Sequence, residues 1–142
     1  MKKIIFLTKI LLIYFLFMQN TFASKKNYYL EGENLFYKKE FEKSKIFFER
    51  DLAFNPKNAK SYLYLAKIFN IKNNDEEENI NLNNVLLLDP INDEALYMLT
   101  LLKIKQSDYT SANDLIKKFD LVCKSICQKS KEMKSKLDKI SP

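Results

Sequence analysis

Carboxylates and lysines are the only plentiful groups in this chain that could do chemistry, and their spacing is not that of a catalyst. Among 142 residues there are 18 Asp and Glu and 24 Lys and Arg, but no histidine and no tryptophan. A Ser-His-Asp or Cys-His site needs an imidazole. The one glycine, Gly32, is too few for a loop that cradles phosphate through several glycines. Two cysteines, Cys123 and Cys127, cannot furnish the four Cys/His ligands of a usual zinc site. The densest acidic run is Asp75-Glu76-Glu77-Glu78, whose oxygens are the ligand type of a hard cation. The same run makes a good helix start, with Asp75 as the cap, Glu78 closing a capping box and negative charge at the positive end of the helix. That second reading is the expectation. No carboxylate stands at a recognisable spacing from a basic or nucleophilic partner, so the reading is a protein that is not an enzyme, with no cofactor and no metal.

The cysteines leave two alternatives open. Their spacing of four places them on one helical face, where Cβ atoms lie about 5–6 Å apart, farther than the roughly 3.5–4.5 Å of a disulfide. If the helix runs on unbroken, both are packed free thiols that continue the stripe Ile116, Phe119, Cys123, Ile126, and this is the favoured expectation. If a turn falls near 123–126, a short bridge could pin the following segment.

What positions these groups is a mostly helical chain, since three prolines and one glycine leave little punctuation. The N-terminus stands apart. Residues 1–3 are basic after the initiator, residues 4–18 are apolar apart from Thr8 and Lys9, and the small residues Thr21 and Ala23 precede Ser24. This is the order of a secretory signal peptide, with cleavage expected after Ala23. The apolar run is shorter than the roughly 20 residues of a spanning helix. The alternative is an uncleaved anchor that tethers the protein to a membrane, its lysine-rich end acting at the lipid surface. With residues 1–23 removed, residues 24–120 carry 15 basic against 16 acidic groups, and residues 121–142 carry 6 against 2. The alkaline balance therefore sits at the ends. A nucleic-acid module concentrates basic charge on its folded body, so nucleic acid is excluded as a partner.

The strongest signal is a repeat. Asn55-Pro56 and Asp89-Pro90 each close an apolar run, and the two prolines are 34 residues apart. With these prolines at the thirty-second position, the repeats are 25–58, 59–92 and 93–126. Position eight is then Gly32, Ala66 and Thr100, where two helices approach closely. Position seventeen carries the aromatics Phe41 and Tyr109, position twenty the small residues Ser44 and Ala112, and position twenty-four Phe48, Leu82 and Ile116. The second repeat departs, with Asp75 in the aromatic slot and Glu78 in the small one.

Helical periodicity agrees with this register. Tyr62, Leu65, Ala66 and Phe69 recur on one face, as do Leu96, Leu99 and Leu102, and Ile80, Leu82, Val85, Leu86 and Leu88 form a third stripe. Asn58 and Asn92 are expected to cap the helices after the proline turns. Helices are predicted near 26–37, 40–54, 58–71, 75–88, 92–105 and 108–122. Ile126, Met133, Leu137 and Ile140 then give a basic helix within 125–140 an apolar stripe.

This 34-residue pattern resembles the tetratricopeptide repeat, a helix–turn–helix unit, over about 102 residues. The resemblance implies an all-α fold: a short right-handed α-solenoid of three helical hairpins with a C-terminal capping helix at 125–140, which supplies the polar terminal face a solenoid needs. It also implies a role, a non-catalytic protein–protein interaction module that holds a peptide or helix in a concave groove. The first helix of each repeat would line that groove, through Tyr29, Glu33, Phe36 and Tyr37 in the first, Leu63, Lys67 and Asn70 in the second, and Tyr97, Leu101 and Ile104 in the third. The polar pattern with which some members clamp a terminal carboxylate is missing, because Tyr29 and Glu33 occupy the first two clamp positions. The partner expected is another protein or a peptide, met in the periplasm or elsewhere in the cell envelope, with membrane association if the signal stays uncleaved.

Overall fold

The computed structural model describes residues 27–140, so the signal-peptide expectation at 1–23 lies outside the described residues. Seven helices and no strand occur among them: α1 (Tyr28–Tyr37), α2 (Phe41–Phe54), α3 (Ala59–Ile71), α4 (Asp75–Leu88), α5 (Asp93–Lys105), α6 (Tyr109–Val122) and α7 (Lys129–Asp138). They form an all-α helical repeat solenoid. α1 pairs with α2, α3 with α4 and α5 with α6, while α2 packs on α3, α4 on α5, and α7 against both α5 and α6.

Local chemistry sets the helix starts. The side chains of Asn27, Asn58, Asn74, Asn92 and Asp108 accept from the backbone N–H groups of Leu30, Lys60, Glu77, Ala95 and Ser111, satisfying donors the helix itself cannot. Asn58 and Asn92 cap as expected. In the acidic run the cap is Asn74, and Asp75 is the first helical residue. Glu78 closes no capping box; its side chain turns inward instead.

Each hairpin turn has the same backbone. Lys39, Asn73 and Ser107, the fifteenth residues of the three repeats, all have positive φ, at 62°, 53° and 60°. In each, the positive-φ N–H reaches a carbonyl three residues back (Lys39 to Phe36, Asn73 to Asn70, Ser107 to Ile104) and the next N–H one five residues back, all at 2.9–3.0 Å.

Three joined clusters make the core. The first hairpin and α3 contribute Phe48, Tyr64, Leu65, Ile68 and Phe69. The middle holds Leu63, Ala66, Leu82, Val85, Ala95, Leu99 and Leu102. The last has Leu96, Ile116, Phe119 and Met133, with Leu137 and Ile126 alongside. The repeat slots explain the fit. A Cβ at Gly32 would stand 2.9 Å from the Phe48 ring, and Ser44 Oγ donates to the Gly32 carbonyl at 2.7 Å. Ala66, Thr100 and Ala112 are buried at the matching contacts. The stripe read at 80–88 narrows to Leu82, Val85 and half-buried Leu86, because Ile80 and Leu88 are exposed.

The junction between the last hairpin and the cap overturns the favoured reading of the cysteines. α6 ends at Val122, Cys123 is extended (φ −59°, ψ 143°), and Cys123 and Cys127 are joined by a disulfide with Cα atoms 5.4 Å apart. The capping helix proper is accordingly Lys129–Asp138, shorter than 125–140. The turn is held from a distance: Asp93 Oδ2, at the start of α5, accepts from Ser125 N and Oγ at 2.8 Å each, Lys124 N at 3.2 Å and Ile126 N at 3.4 Å. Burial pushes the Asp93 carboxyl up, but these donors outweigh it and hold it at about 2. A carboxylate thus does here what the inter-repeat proline does earlier in the chain. Reduction with dithiothreitol is expected to cost about 2 kcal/mol, the closure entropy of so short a loop. Urea unfolding with and without reductant measures it, and labelling of the unfolded, unreduced protein should find no reactive thiol; two would overturn the bridge.

Candidate binding groove

One face of the solenoid carries an open groove of about 440 Å³, lined by Phe36, Lys67, Asn70, Ile71, Glu78, Glu94, Tyr97, Met98 and Leu101. It runs from the end of α1, across α3 and the start of α4, to α5. The first helices of the hairpins supply all of its lining but one residue, as their position inside each repeat dictates. Phe36, Lys67, Asn70, Tyr97 and Leu101, expected from the sequence, are brought together in it.

The remaining expected residues go elsewhere. Leu63 and Ile104 are 9% and 6% exposed; Leu63 packs with Ala66 and Leu99 in the core, and neither offers surface to a partner. Tyr29 and Glu33 join an aromatic network. Glu33 Oε1 accepts from Tyr29 OH at 2.9 Å and from Tyr64 OH at 2.7 Å. The Tyr37 hydroxyl lies 3.1 Å from that of Tyr64. Because Tyr64 gives its one proton to Glu33, Tyr37 must donate to Tyr64. Burial first, then the Glu33 carboxylate, pushes the Tyr29 hydroxyl up to about 12; burial and the hydrogen bond it donates to the Glu33 carboxylate raise Tyr64 as well. Tyr64 also stacks on Phe48 (centroids 4.9 Å, planes 10° apart) and meets Phe36 edge-on at 5.0 Å. Through Phe36 this cluster stands behind one end of the groove.

The walls are held by charge. Lys67 Nζ lies 2.9 Å from Glu94 and 5.0 Å from the centre of the Tyr64 ring, bridging α3 to α5. At the far end Tyr97 OH donates to Glu132 on α7 at 3.0 Å, with Lys129 Nζ 5.2 Å from the Tyr97 ring. Lys129, Lys136 and Tyr97 together hold the Glu132 carboxyl down at about 2. The capping helix thereby holds the Tyr97 side chain at that end.

Glu78 is the one lining residue that does not come from the first helix of a hairpin. It stands on α4 in the slot where the other hairpins carry Ser44 and Ala112, and all three are buried. Its one visible signal was that departure from a small residue. Both of its carboxylate oxygens accept from Asn70 Nδ2 at 3.0 Å, while burial raises its pKa. Among the described residues no cluster of His, Cys, Asp and Glu has the arrangement of a metal site.

With this geometry the chain superposes on the crystal structure of the Sgt2 TPR domain from Aspergillus fumigatus, with a TM-score of 0.63 and 20% identity, over 79% of this chain and 73% of that one. The fold is that of a tetratricopeptide-repeat domain. At such identity the likeness speaks for the fold alone. No protein-family profile matches the sequence, and no curated protein matches it. What the groove binds must therefore be argued from its own residues.

Proposed function

We propose that this protein is a non-catalytic interaction module that holds a peptide or helix of a partner protein in the groove between Phe36 and Leu101. The observation that carries the reading is the groove itself. Ile71 is 48% exposed, and half-buried Phe36, Tyr97, Met98 and Leu101 stand beside it, an apolar floor with a charged rim. Aromatic and aliphatic anchors in a desolvated groove are where interface energy concentrates, and an amphipathic helix is one segment that such a surface accepts. The first 23 residues are read as an export signal, which places the module in the periplasm or cell envelope. The tethered alternative rests on the same residues, and among the described residues no helix is long and apolar enough to cross a membrane. Sequencing the N-terminus of the protein from cells separates the two: Ser24 supports release, and an intact start supports a tether.

Crosslinked pull-down from the cell envelope, followed by binding measurements on the partner recovered, tests the groove. Phe36→Ala and Met98→Ala are each expected to weaken binding by about 1–2 kcal/mol, whereas Leu121→Ala, at an 85% exposed site on α6, leaves it unchanged. Equal affinity for all four proteins would remove the groove from consideration.

A further inference from the structure

The Glu78 carboxylate is an odd thing to bury. It is 1% exposed, and an ionised carboxylate taken from water without a cation is costly. The other charges around it are already matched: Lys67 with Glu94 at 2.9 Å and Lys105 with Asp75 at 2.6 Å. Among the described residues its only donor is the neutral amide of Asn70, an exposed residue whose Nδ2 sits 3.0 Å from both oxygens, the place an ammonium would take. Packing does not call for a carboxylate, since Ser44 and Ala112 fill the equivalent slots. Of the charged residues lining the groove, Glu78 and Glu94 are acidic and Lys67 alone is basic, so its carboxyl groups outnumber its cations.

We infer that the groove selects a partner segment presenting a lysine or arginine among apolar residues, with Glu78 as the residue that sets this preference. This rests on the groove being the binding site. Asn70 swings aside as the cation enters, and the stem of the incoming side chain lies along Phe36, Met98 and Leu101, which keep water from the new ion pair. Charge complementarity of this kind fixes register and rejects acidic competitors.

The probe is a phage-displayed library of random dodecapeptides selected on the full chain, with the best peptides then synthesised. Selected peptides are expected to carry a basic residue flanked by apolar ones. Affinity should fall tenfold or more on Glu78→Gln, on Glu78→Ala, or when the peptide's basic residue is replaced by methionine. Glu78→Ala installs the residue found at Ala112, and its melting curve checks that it folds; the peptide substitution needs no variant protein. Binding should also weaken as pH falls from 7 to 5, because burial raises the Glu78 carboxyl and a protonated Glu78 no longer attracts a cation; of the other charges near it, the Asp75–Lys105 and Glu94–Lys67 pairs are matched within themselves. Peptides that lose affinity with Phe36→Ala or Met98→Ala but lack a basic residue, or ignore both Glu78 variants, overturn the inference and leave the groove standing. Peptides indifferent to Phe36 and Met98 overturn both.

Discussion

Phe48→Ala is expected to cost about 3–5 kcal/mol, the range for emptying a buried phenylalanine site. Phe48 is fully buried, stacked on Tyr64 and tilted against Tyr29 at 6.0 Å, so its removal leaves a void at the junction of the first two hairpins. The same ring explains Gly32. An alanine there would press its Cβ to 2.9 Å from Phe48, an overpacking worth about 1–3 kcal/mol. In a Phe48→Ala background the obstruction is gone, and Gly32→Ala should then stabilise by about 0.5–1 kcal/mol through helix propensity. Denaturant midpoints of the four proteins check this. A Gly32→Ala effect of the same sign in both backgrounds would mean that the close approach is not what keeps a glycine there.

The second large effect lies at the joint between hairpins. Asp51, 3% exposed, accepts from Ser61 Oγ and Asn58 Nδ2 at 2.6 Å each and from Asn55 Nδ2 at 3.0 Å. Thirty-four residues on, the same pair of places holds Val85 and Ala95, both fully buried. Asp51→Val alone orphans the buried Ser61 hydroxyl and should cost about 2–3 kcal/mol. Ser61→Ala alone removes one charge-assisted bond and should cost about 1.5–3 kcal/mol. Together they reproduce the apolar joint of the next repeat, and the double variant is expected within about 1 kcal/mol of the parent, because losing both partners is far cheaper than losing one. Additive losses in urea unfolding would show that Asp51 acts through Asn55 and Asn58 instead.

Much of the fold was legible because it is periodic. The spacing of Pro56 and Pro90, the caps Asn58 and Asn92, and the buried slots at Ala66, Leu82 and Ile116 are local or recur at a fixed interval. What escaped notice is made of pairs with no such interval: Asp51 with Ser61, Asn70 with Glu78, and Asp93 with the turn at 124–126. The last of these ended α6 where periodicity alone ran it on, and so the disulfide was passed over in favour of free thiols. In the groove, Phe36, Lys67, Asn70, Tyr97 and Leu101 followed from position in the repeat. Leu63 and Ile104 did not, because a first helix packed by neighbours on two sides exposes only a narrow strip. Tyr29 and Glu33 were drawn away by one another and by Tyr64, an attraction that a list of positions does not reveal.

The three hairpin turns close on one backbone path although lysine, asparagine and serine occupy its left-handed residue, where only asparagine is an ordinary tenant. Side chains there do not choose the bend; five-back carbonyls at Leu35, Phe69 and Lys103 do. Exchange among unbranched residues is therefore absorbed at these corners, and glycine at Lys39 or Ser107 would relax them. Inserting or deleting a single residue inside a helix is another matter, since it would rotate the rest of that helix by about 100° and turn its inward stripe away from the core. Such a chain tolerates drift in spelling and forbids drift in metre.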